Sequence, residues 1–241
     1  MSNITLQELA YRIIELYRSA HKDTDEISER LIQDWIHGIR AILIKQKLDK
    51  PMTQIDDDLT QTVLQDYRDR GLGPVKLEQV DSSQFFPEQP AKREMLRTAI
   101  DIPPTISRRG HIGTFTRIGP IDRLDQGYKL VDYETALVSG HGKFNHNDIY
   151  AFPLDGRIYL IGRYLRPKAL LDIRGVFQNP TQIEGFSVEN SPYPINRDMI
   201  DRMEGMIMES KAPMTLVGYK DTKADEADNL VQTSGQQPQQ Q

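Results

Sequence analysis

Residues 140–148, Gly-His-Gly-Lys-Phe-Asn-His-Asn-Asp, hold the densest set of chemically able groups in this 241-residue chain. His141, His146 and Asp148 fall within eight residues, and imidazole and carboxylate groups are divalent-metal ligands. Their spacing matches no zinc motif, and no other histidine stands close by in sequence. A polar loop between strands, using asparagine and glycine for its turns, accounts for the same composition. Gly142-Lys143 echoes the end of a phosphate-binding loop. Yet Leu137 stands where that motif needs its first glycine, and Phe144 where it needs serine or threonine. Ser107 and Ser139 lack the flanking glycines of a nucleophile elbow.

The remaining charged clusters are weaker. Asp23 and Asp25 resemble the start of a calcium loop until Ile27 and Glu29 appear where further oxygen ligands and the loop glycine are wanted. Asp56-Asp57-Asp58 are adjacent, so they do not share a helix face, and they suit a helix N-terminus instead. Arg108-Arg109-Gly110-His111, with Arg117 and Arg123 further on, is the best basic patch, and a solvated loop explains it. The net charge is −5 and is spread along the chain, unlike the basic stripe of a nucleic-acid binder. With no cysteine, disulfides, thiolate metal sites and cysteine nucleophiles are all excluded. The first residues lack a secretory signal's basic region and apolar run, and no stretch approaches the roughly 18 apolar residues of a membrane span. The expectation is a soluble, intracellularly made protein without cofactor or catalytic centre.

The elements that would position such groups are clearer than the groups themselves. Thr5 and Glu8 form a capping box that starts a helix, whose buried face is Leu6, Leu9, Ala10, Ile13, Ile14 and Tyr17. Ser28 caps a second helix, in which Leu31, Trp35, Ile39, Ile42 and Leu43 form a stripe widened by Ile32, Ile36 and Ile44. Gly38 inside it implies close approach of another backbone. Asp56 to Tyr67 adds a third, weaker helix. From Thr98 to about Phe186 the chain is β-like, and Asp155-Gly156 marks a hairpin between residues 149 and 161. Asn196 caps a last helix with Met199, Ile200, Met203, Met206 and Ile207 on one face. The class is α+β: a helical region over 1–70, a β-rich antiparallel module over 71–190, a helix and apolar segment over 191–218, and a polar tail over 219–241.

Two stretches carry a family resemblance. Thr5-Leu6-Gln7-Glu8-Leu9-Ala10-Tyr11, with Ile32-Gln33-Asp34-Trp35-Ile36-His37 and Ile39-Arg40-Ala41, resembles structural proteins of crAss-like bacteriophages, and so does Met214-Thr215-Leu216-Val217 leading into Asp221-Thr222. The resemblance implies a virion component made in the host bacterial cytoplasm. It implies a subunit of a head-to-tail connector ring, in many copies and often twelve, joining the portal to neck and tail proteins. DNA would be passing cargo only, and no membrane is involved. It carries over no individual functional residue. From the helix faces and the apolar segment just before the tail, the interface expectation falls on Trp35, Ile39, Arg40, Met206, Met214, Leu216 and Val217. The alternative is a metal-dependent enzyme or binding module using His141, His146 and Asp148.

Overall fold

The computed structural model describes residues 4–21, 27–50, 54–67, 69, 71–81, 94–107, 113–138, 148–162 and 164–210. Helix α1 (Leu6–His21) begins at the expected capping box: Thr5 N donates to Glu8 Oε2 at 2.9 Å, and Glu8 N donates to Thr5 Oγ1 at 3.2 Å. Helix α2 (Glu29–Leu48) follows, and its buried face is Ile32, Ile36, Ile39, Arg40, Leu43, Ile44 and Leu48. The expected stripe is therefore rotated. Leu31 and Ile42 lie outside that face, 37% and 45% exposed. Gly38 is not a close-approach point for the described residues either, since none of their heavy atoms lies within 4 Å of where its Cβ would stand.

A 3-10 turn (Asp57–Leu59) leads into β1 (Gln61–Thr62) and the hairpin of β2 (Gln65–Tyr67) and β3 (Gly71–Gly73). The third helix expected over Asp56–Tyr67 is thus replaced by a turn and short strands, because residues 61 and 62 pair with Gly175 and Arg174 far along the chain. Strands β4 (Val75–Val80), β5 (Glu94–Thr98), β6 (Phe115–Pro120) and β7 (Lys129–Leu130) come next. Then follow the short helix α3 (Tyr133–Val138), the strands β8 (Tyr150–Leu154), β9 (Arg157–Gly162) and β10 (Leu170–Gly175), and helix α4 (Arg197–Ser210). The β8–β9 turn is the predicted one: Asp155 and Gly156 have φ of 48° and 74°, as the tight hairpin requires.

Strand order runs β10-β4-β5-β9-β8-β7, with β6 on the other side of β10. All pairings are antiparallel except β7 with β8. Tyr128 N donates to Ile118 O of β6 at 2.7 Å, while Lys129 N donates to Ile149 O at 3.1 Å. The two ends of the order therefore meet, and the sheet curls round on itself, hiding edges that would otherwise invite pairing. Inside lie Leu96, Ile118, Ile158, Leu160, Leu171 and Ile173. Alternate residues of β8 and β9, Tyr150, Phe152, Tyr159 and Ile161, face outward and are covered by α3 through Ala136 and Tyr133.

One end of the curled sheet is closed by the helices. α1, α2 and α4 share a core with Ile106, Val176 and Tyr193, the chain around the lower ends of β6 and β10. Each fully buried isoleucine or leucine there contributes about 1.5–3 kcal/mol, which the isolated helices would forgo. The other end of the sheet carries the connections that leave β6 and β9 and the chain that enters β7, β8 and β10.

Candidate functional site

The loop-bearing end of the sheet is held by a buried carboxylate. Asp172 on β10 is only 5% exposed, and its Oδ2 lies 2.9 Å from Arg117 Nε and 3.1 Å from Arg174 Nη2. The approach to Arg117 is an ion pair without hydrogen-bond alignment, because that guanidinium is turned toward the main chain. Its Nη1 donates to Leu124 O at 2.5 Å, and its Nη2 donates to Pro120 O and Arg123 O at 3.2 and 3.1 Å. Three carbonyls of one loop are thereby gathered on one planar fork. Gly119 completes the arrangement: a Cβ there would stand 2.5 Å from Gln126 O.

What this clamp presents to solvent is mixed, with Ile121 and Leu124 set among exposed Asp122, Arg123, Asp125 and Gln126. Leu124 is 63% exposed and Ile121 is also exposed, and across from them Tyr164, 68% exposed, belongs to the neighbouring β9–β10 connection. Arg166 and Asp122 join the two loops at 3.4 Å. Both are well exposed, so the pair aligns the loops more than it stabilises them. Val138, at the end of α3, is exposed as well. Single surface apolars are ordinary; here the clamp holds Ile121 and Leu124 in fixed positions on one loop.

A second apolar surface lies on the helical layer. Leu31, half-buried Trp35, Gly38 and Ile42 share one outward face of α2, and Tyr11 and Leu16 are exposed on α1. Of the interface residues expected from the sequence, Trp35 sits on this ridge and Met206 is half-buried against the helical core. Ile39 and Arg40 are enclosed within the subunit. Arg40 Nε donates to Pro194 O and its Nη1 to Phe177 O, both at 2.7 Å, so it ties α2 to the chain beyond β10. Met214, Leu216 and Val217 lie outside the described residues, as do Arg108, Arg109, His141, His146 and the 219–241 tail.

Among the described residues no group of histidines, aspartates and glutamates is arranged to hold a metal. Asp148, the one described member of the candidate metal set, lies 2.5 Å from Lys129 Nζ. A cavity of about 770 Å3 is open and lies between the β2–β3 hairpin and the start of β10, where Lys76 Nζ stands 4.2 Å from the centre of the Tyr67 ring.

Residues 8–230 match the family described as phage tail ring protein 2 of the crAss type. The chain belongs to that family. No curated protein matches it. As a crAss-like phage tail ring protein, it is a structural virion component. No helix among the described residues is long and apolar enough to cross a membrane. The clamped loop was missed from sequence because Ile121 and Leu124 fall in a turn, where no periodicity separates display from burial. The Asp172–Arg117 pair links residues on two strands that nothing in the local pattern connects.

Proposed function

We propose that this ring protein is a subunit of the head-to-tail connector: twelve copies close a ring next to the portal, join it to the tail, and leave a central passage for DNA. The observation that carries this is the pairing of the family match with two separate surfaces that expose apolar side chains, on the clamped loop end and on the helical layer. A closed ring is built from heterologous contacts, so each subunit needs two different patches that complement one another. The curled sheet supports the same reading, because it hides its edges and leaves side chains and loops to make specific contacts. The spread negative charge suits a channel part that DNA passes without sticking. Copy-number proteomics of purified particles tests the proposal: the portal's copy number is expected, and absence from particles contradicts it.

A further inference from the structure

The outward ridge of α2 has a candidate occupant within the same polypeptide. Leu31, Trp35 and Ile42 recur at four- and seven-residue steps with Gly38 in line between the last two, so the ridge carries a notch where Gly38 leaves open space. α4 runs antiparallel to α2. Its start lies near the end of α2, because Asp56 Oδ2 contacts both Lys47 Nζ (2.6 Å) and Asn196 Nδ2 (2.5 Å). Its middle lies beside α1, where Arg12 Nε is 2.7 Å from Glu204 Oε1. Ser210 therefore ends α4 beside the first turns of α2, where the ridge begins.

Residues 211–241 follow, and their densest apolar group comes almost at once: Met214, Leu216 and Val217. Four extended residues span up to about 14 Å and seven up to about 25 Å. The ridge from Leu31 to Ile42 is about 17 Å long. We propose that Met214, Leu216 and Val217 lie on the ridge of their own subunit, with one of these side chains in the notch at Gly38. A tether this short gives the segment a millimolar-range effective concentration, well above that of a second copy at micromolar protein. The inference concerns the single subunit; within the ring, the ridge together with the segment lying on it is the helical-layer contact surface.

Trp35 is the sole tryptophan, so its fluorescence reads the ridge directly. The full-length chain is compared with full-length Leu216→Asp/Val217→Asp. In the parent, blue-shifted emission is expected, with acrylamide quenching at least about two-fold weaker than in the variant and unchanged over a hundred-fold dilution. Gly38→Gln fills the notch on the ridge side without touching the tail, and is expected to raise quenching in the same way. It carries the test should the double variant lose its helical circular dichroism. Equal quenching in parent and variants overturns the proposal. So does parent quenching that rises on dilution, which would make a second copy the occupant.

Discussion

The guanidinium carbon of Arg40 lies 5.6 Å from the centre of the Tyr193 ring, inside the subunit and away from solvent. Two main-chain carbonyls accept from it, and burial holds its pKa below the usual arginine value. One side chain thus joins α2, the end of β10 and the approach to α4. Arg40→Ala would orphan the carbonyls of Phe177 and Pro194 and leave a cavity, a loss of about 3–5 kcal/mol. Arg40→Met keeps the volume and removes the buried charge, so a smaller loss of about 1–3 kcal/mol is expected. Urea unfolding of both variants checks the order.

His37 shares this cluster, its Nδ1 2.9 Å from the Tyr193 hydroxyl. Burial, then the nearby Arg40 charge, lowers its pKa from 6.5 to about 4. The unfolded chain therefore takes up this proton before the folded one does. Its contribution to stability is fully present above pH 6.5, declines as pH falls, and is gone below about pH 4. His37→Gln is expected to flatten that part of the stability–pH curve, measured by urea midpoints across the interval. An unchanged slope would show that His37 titrates normally in the folded subunit.

Asp172→Asn removes the charge that faces Arg117 and Arg174. Both arginines keep some access to solvent, so the loss is expected near about 2–3 kcal/mol, below the cost of breaking a fully enclosed pair. The clamp on the 120–124 carbonyls should loosen with it, and trypsin should cut after Arg123 faster. Asp101→Asn, which removes the exposed partner of Arg157, should change stability by no more than about 0.5 kcal/mol.

Gly38→Ala places a methyl group, smaller than the notch-filling glutamine, where no described residue approaches, on an exposed face in the middle of α2. The helix should gain about 0.5–1 kcal/mol, read as a raised unfolding midpoint. A destabilised variant would mean that even a methyl group crowds what lies against this position, another backbone or the 214–217 segment.

Local chemistry decided which elements could be read from sequence. The Thr5–Glu8 box and the Asp155-Gly156 turn act within a few residues, and both stand where the sequence puts them. The apolar face of α4 follows helical spacing and packs as expected. Residues 56–67 failed as a helix because β1 is made by pairing with Gly175 and Arg174, a partnership invisible in that window. Burial of Arg40 was equally hidden, since its acceptors lie far along the chain and are backbone atoms without sequence identity. Leu31 and Ile42 look like core by spacing alone. Only the placement of α1 and α4 around α2 shows that they face outward.

Cryo-EM of purified virions tests the central claim most directly. The account predicts a closed ring of this chain between portal and tail, its subunits in contact through the clamped Ile121–Leu124 loop and the outer face of the helical layer. Particles whose portal–tail junction contains no ring of this chain would contradict it.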